Sequence, residues 1–165
     1  MQPVMKTIET RKETYREVVL VHHEISKQAH RELFSFDESR YVESGKDICE
    51  SILALAAQSV DKMHIAADWE HLLMIALWTP ARPVSFDVMS LLRRSGAGDA
   101  ELAPFRTSDI NDLFPWLYYG KKFDILRRIC NAAKTKVESR ISGKHLKVIC
   151  HLVADETRRI VASSL

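Results

Sequence analysis

Between Thr14 and Phe34 the apolar residues Val18, Val21, Ile25, Ala29 and Leu33 recur at three- and four-residue intervals, a spacing that puts them on one side of a helix. The same period runs through Lys122–Glu138. There Phe123, Leu126, Ile129, Cys130, Ala133 and Val137 make one face, with Arg127, Arg128, Asn131 and Lys134 elsewhere around the axis. Only five glycines and five prolines interrupt 165 residues, so long stretches are free of helix breakers. No alternating run rich in Val, Ile and Thr and bounded by turn dipeptides is present. The expected fold class is therefore all-α, as two small helical bundles joined by a linker that carries a short helix.

The punctuation places the boundaries. Ser44 reads as an N-cap with Asp47 three residues on, opening a helix through Ile48, Ile52, Leu55 and Val60. A helix from about Asp68 must end before Thr79-Pro80, because the residue preceding proline is pushed out of helical geometry. Its segment Trp69–Trp78 is apolar almost all round, which predicts a place in the middle of a core. Thr79-Pro80-Ala81-Arg82-Pro83 and Ser95-Gly96-Ala97-Gly98-Asp99 then frame a short helix capped by Ser85. Residues 1–79, 80–106 and 107–165 are accordingly read as an N-terminal bundle, a linker and a second, basic bundle. In the last of these, Ser108 caps a segment to Tyr119 that contains Pro115, and Ser142 caps a final helix with Leu146, Ile149, Cys150, Val153 and Ile160 inward.

Charge divides the chain unevenly. Residues 1–105 hold 12 Lys and Arg against 16 Asp and Glu, whereas 106–165 hold 12 against 6. Such asymmetry points one end of the molecule toward an anionic partner, nucleic acid or an acidic membrane surface. The longest apolar run, Leu72–Trp78, is far short of a bilayer span, and no charged-then-apolar leader opens the chain, so neither a membrane-spanning nor a secreted protein is expected. Three widely spaced cysteines, Cys49, Cys130 and Cys150, fit reduced thiols.

The spacings that carry chemistry are missing. Neither Glu17 nor Glu24 has a histidine three residues on, as a di-iron bundle needs. Glu70-His71 and Cys150-His151 are adjacent pairs whose side chains diverge on a helix, and no Cys-x-x-Cys completes a zinc set. Gly96-Ala97-Gly98-Asp99 lacks the lysine of a phosphate-binding loop. Arg140 and His145 have a spacing used by some helical ribonucleases, but Ser142-Gly143 between them reads as a helix start. No enzyme, no cofactor, no metal and no small-molecule substrate are expected.

One resemblance gives these features a function. Leu72-Leu73-Met74-Ile75-Ala76-Leu77-Trp78-Thr79-Pro80 is followed by Leu91-Leu92-Arg93-Arg94, Gly96-Ala97-Gly98-Asp99 and Leu117-Tyr118-Tyr119-Gly120-Lys121-Lys122. In that order, and with His145–Cys150 near the end, residues 68–160 resemble the matrix protein of the orthomyxoviruses, most of all its divergent thogotovirus-like or isavirus-like members. The resemblance implies an N-terminal matrix domain of two helical bundles that continues into a further helical region. It implies a virion protein that self-assembles beneath the envelope, in host cytoplasm, at the cytoplasmic face of membranes and in the nucleus. Such a protein bridges anionic lipids and viral RNA or ribonucleoprotein. The basic surface would be Lys121, Lys122, Arg127, Arg128, Lys134, Lys136, Arg140, Lys144 and Lys147, with Arg93 and Arg94 as a basic pair in the linker. His22, His23, His145 and His151 would sense pH, since protonating all seven histidines takes the net charge from +2 to +9. Two departures stand out: the family's basic cluster is thinned to Lys121-Lys122, and its Cys/His set is absent apart from Cys150. The alternative is a bacterial or phage helical nucleic-acid-binding protein, with Thr107–Ile129 as a helix-turn-helix.

Overall fold

Val18 to Val21 is the first stretch on which the helical expectation fails. In the computed structural model, which describes residues 15–141 and 145–164, Glu17–Val21 is strand β1. All four of its apolar residues are buried, at 3% exposure or less. A strand covered on both faces shows a continuous apolar run instead of an alternation, and a short run of that kind also matches a helical period. The helix begins only at Glu24: α1 is Glu24–Phe34, with His23 as its N-cap and Ser35 closing it in the left-handed region at φ 56°.

The remaining elements are β2 (Tyr41–Glu43), α2 (Ile48–Ala56), β3 (Lys62–Ala67), α3 (Trp69–Leu77), α4 (Ser85–Arg94), α5 (Asp99–Leu102), α6 (Leu113–Tyr119), α7 (Phe123–Arg140), β4 (Lys147–Ala154) and β5 (Arg159–Ser163). Strands and helices alternate as far as α3; helices then run on to β4, and β5 follows it directly. The all-helical expectation is thus corrected to an α/β fold with a five-stranded mixed sheet of order β2-β1-β3-β4-β5. β1, β2, β3 and β4 run parallel, and β5 returns antiparallel to β4. The chain expected as the last helix is the β4–β5 hairpin, whose tight turn carries Arg158 at φ 56°. The predicted cap at Ser142 and the predicted start at Thr14 lie outside the described residues.

β1 connects through α1 to β2 on one side, and β2 connects through α2 to β3 on the other side of β1. Right-handed crossovers in opposite directions put the two helices on opposite faces of the sheet. The buried side chains divide accordingly. Val18, Leu20, Met63, Ile65 and Cys150 join one large cluster with residues of α2, α3, α4 and α7. Val19, Val21, Ala66 and Val153 join a small one with Ala29 of α1.

The two expected bundles are therefore not separate bodies. β3 precedes residue 80 and β4 follows residue 106, yet they are paired over Lys62–Ala67. The expected linker contributes Val88, Met89, Leu91 and Leu92 of α4 to the same large cluster. The helices themselves fall close to where caps and periodicity put them. Asp47 rather than Ser44 caps α2, its Oδ1 accepting from the amides of Cys49 and Glu50 at 3.0 and 3.2 Å.

All three cysteines are free and buried. Burial pushes the Cys49 and Cys130 thiols up to about 12 and raises Cys150 as well. Since the thiolate is the reactive form, Ellman's reagent at pH 8 should titrate essentially no thiol in the native protein and three after denaturation. Rapid native reaction at any one of them would contradict the packing.

Candidate active site

Three of the parallel strands end on a polar residue at the same edge of the sheet. His22 follows β1, Asp68 follows β3 and Asp155 follows β4. Between β1 and β3 the crossovers depart in opposite directions, and open α/β sheets form their ligand crevice at the carboxyl ends flanking such a reversal. The local sequence builds the site there because Asp68 also has to start α3. Its backbone is extended (φ −75°, ψ 179°), and its Oδ1 caps the helix by accepting from the His71 amide at 2.9 Å.

The same oxygen accepts from His71 Nδ1 at 2.7 Å, while Oδ2 lies 3.3 Å from His22 Nε2. His22 is held from behind by Ser26 Oγ, 2.8 Å from its Nδ1, and its ring stacks on that of His71 with centroids 4.5 Å apart. One carboxylate is thus shared by two imidazoles. With Nδ1–H donated to Asp68, neutral His71 carries its lone pair on Nε2.

The charges are tuned in opposite directions. Burial opposes ionisation of Asp68, but the bonds from His22 and His71 outweigh it and hold the carboxyl well below the usual range. His71 is raised, first by its bond to Asp68 and against the effect of burial. Asp155 is raised by burial and by the neighbouring Asp68 charge. Two nearby carboxyls pushed in opposite directions are a usual mark of divided acid–base roles.

Beside them lies a cleft of about 220 Å³ walled by Trp69, Phe114, Pro115, Tyr118 and Tyr119, with Asn111 and Thr157 as neutral polar groups. Trp69 is fixed by its indole N–H donating to the Ile110 carbonyl at 2.8 Å, and Phe114 stacks on Tyr118 with centroids 5.6 Å apart. Asp68, Glu70, Asp155 and Glu156 also line it; of the shared-carboxylate cluster only Asp68 does so, and the lining includes no lysine or arginine.

The basic residues singled out from sequence lie elsewhere, along α7 and its flanks. Lys122 pairs with Glu101 at 2.7 Å and sits over Trp116; Arg127 pairs with Asp124 at 2.8 Å; Arg93 pairs with Asp99 at 2.7 Å. Arg128 donates to the Ser95 carbonyl and Arg140 lies over Trp78. Lys121, Arg94 and Lys147 are exposed, Lys134 and Lys136 half-buried, and Lys144 lies outside the described residues. Of the four histidines proposed as pH sensors, His22 belongs to the Asp68 cluster and His23 is the exposed cap of α1. His145 is exposed, whereas His151 is buried and pushed down to about 3 by burial and by His64 and His30.

The sequence marks Asp68 only as a helix start, offers His71 only as a rejected partner of Glu70, and gives no sign of Asp155. A signal was present: an N-cap acid followed three residues later by histidine is the spacing that lets both bond within one helical turn. His22 could not be found this way, because the sheet alone brings it to Asp68. Set against known protein families, characterised proteins and solved structures, the chain matches none of them.

Proposed function

We propose that this protein is an enzyme that performs general acid–base chemistry on a small neutral or cationic molecule with a flat apolar part. The observation that carries this reading is the Asp68 carboxylate shared by His22 and His71 at the carboxyl edge of the parallel strands. His71 is the base through Nε2, Asp68 orients it and stabilises the imidazolium that forms, and His22 with Ser26 holds Asp68 in place. Asp155, which lines the cleft and whose carboxyl is raised by burial and by Asp68, is the second acid–base group. The reaction class that needs nothing further from the chain is hydrolysis by a water that His71 deprotonates. The four acids of the cleft disfavour phosphates and carboxylates, and its aromatic wall favours a ring or an organic cation.

An assembly role at anionic lipid or RNA is not favoured by any comparable observation. The fold that the matrix resemblance implied is not the fold of this chain, and Lys122, Arg127 and Arg93 are already paired with acids.

Benzamidine and benzoate, alike in size and opposite in charge, test the cleft. Benzamidine should shift the NMR signals of the Trp69 indole and of Asn111, and benzoate should leave them in place; an equal or stronger response to benzoate would reject the reading. For any neutral or cationic aryl ester or amide found to turn over, His71→Gln should cost about 10²–10⁴ in kcat. Turnover undiminished in that variant would place the chemistry elsewhere.

A further inference from the structure

On the face of the sheet covered by α1, along the middle of β3 and β4, three buried histidines converge. His64 on β3 and His151 on β4 are diagonal neighbours, since His64 is in register with Ile149 and His151 with Ala66. His30 of α1 lies over both. His30 Nε2 is 3.1 Å from His64 Nδ1, and His64 Nδ1 is 3.0 Å from His151 Nε2. The outer nitrogen of each ring has its own partner: Tyr41 Oη at 2.7 Å for His30, Glu17 Oε2 at 2.8 Å for His64, and Ser163 Oγ at 2.7 Å for His151.

Protons cannot be placed well on this arrangement by itself. The Glu17 carboxylate accepts, so His64 carries its hydrogen on Nε2 and turns a single in-plane lone pair inward from Nδ1. If His30 and His151 both donate inward, two N–H groups compete for that one lone pair. If either donates outward instead, two lone pairs face each other in a buried space. A cation at the centre removes the conflict. It takes an inward lone pair from each ring, and each outward N–H then donates to Tyr41, Glu17 or Ser163. Ligating histidines are held in this way by an outer layer of carboxylate and hydroxyl groups.

The distances discriminate between the two histidine clusters. Two ligands each about 2.0–2.1 Å from one ion, at angles from square to tetrahedral, stand about 3.0–3.4 Å apart. The 3.0 and 3.1 Å separations here fit; the 2.7 Å between His71 Nδ1 and Asp68 Oδ1 is too short and belongs to a direct hydrogen bond. We propose that His30, His64 and His151 form a buried three-histidine site for a divalent transition metal of the zinc type, separate from the cleft.

The position of α1 indicates what such an ion does. Of the helix's eleven residues only Ser26, Ala29 and His30 are buried, so apolar burial holds it to the sheet weakly. A metal bridging His30 to β3 and β4 would be a staple for that helix. Phe34, in its last turn and 36% exposed, lies against all three rings and covers the cluster on the solvent side.

The test uses untagged full-length protein stripped with a chelator and titrated separately with Zn²⁺ and Co²⁺. One equivalent per chain is expected to bind, with visible absorption for Co²⁺ and a higher thermal midpoint for both. His30→Gln and His151→Gln should each weaken binding about 100-fold, while His22→Gln and His71→Gln leave it unchanged. Ser163→Ala keeps every ligand and removes one outer partner, so it should fold and still lose about tenfold. Failure of the folded, stripped wild-type protein to take up an equivalent would overturn the site. So would undiminished binding in His30→Gln and His151→Gln, or loss of binding in His22→Gln and His71→Gln.

Discussion

Replacing Asp68 with alanine should cost the fold about 3 kcal/mol and make its stability respond less to pH. The helix cap alone is worth about 1 kcal/mol. The two bonds to imidazoles add about 2 kcal/mol after allowing for side chains that keep 22% and 27% of their surface in water. Asp68→Asn keeps a capping oxygen and loses the charge, so it should fall between wild type and alanine.

The pH dependence has a sign on each flank. His71 is raised in the folded state. Its contribution is therefore complete below the unfolded value near ~6.5 and is lost as pH rises through the folded one. Asp68 is depressed, so its contribution is present above about 3.8 and lost as pH falls through the folded value. The stability difference between wild type and Asp68→Ala should thus be greatest between about pH 4 and 6.5 and shrink on both sides. Urea midpoints taken from about pH 2 to 9 measure it, and a difference constant across that range would mean that the pair is not formed as described.

Ile65→Ala should be at least as damaging, at about 3–4 kcal/mol. Ile65 is fully buried at the middle of β3, in register with Leu20 of β1 and Cys150 of β4, and its side chain belongs to the large cluster beneath the helices. Cutting it to a methyl removes apolar burial and leaves a cavity that strands fixed on both sides cannot collapse into. The urea midpoint should fall with the slope of the transition unchanged. In an all-helical chain Ile65 would sit in a connection between helices and the same change would cost under about 1 kcal/mol. This one variant therefore separates the two architectures.

What could be read from the sequence was the helical layer. α2 and α3 have capping residues, and α2, α3 and α7 have apolar residues at helical period, all of which are local signals. The strands have no such signals. β1 and β4 are continuous apolar runs that satisfy a helical spacing as well as a strand, and β3, Lys-Met-His-Ile-Ala-Ala, is built largely from residues without a strand preference. Only pairing reveals them, and the partners of β3 come from both ends of the chain. The matrix resemblance failed as a guide to fold for a related reason. The segments that carried it, Leu72–Pro80 and Leu91–Asp99, are real helices and turns, but their order says nothing about the sheet beneath them. Both histidine clusters were hidden in the same way: His30 is 34 residues from His64, and His64 is 87 from His151.

The order of the strands also bears on how the protein emerges during synthesis. β3 lies inside the sheet between β1 and β4, yet β4 is translated 80 residues after β3 ends. Until Lys147–Ala154 leaves the ribosome, the nascent chain holds an open row of backbone donors and acceptors along an apolar strand. Such an edge can recruit a strand from a second chain. Conditions that stall translation in the α7 region should therefore yield aggregates rather than a smaller folded unit, because the ladder that would shield β3 is encoded last.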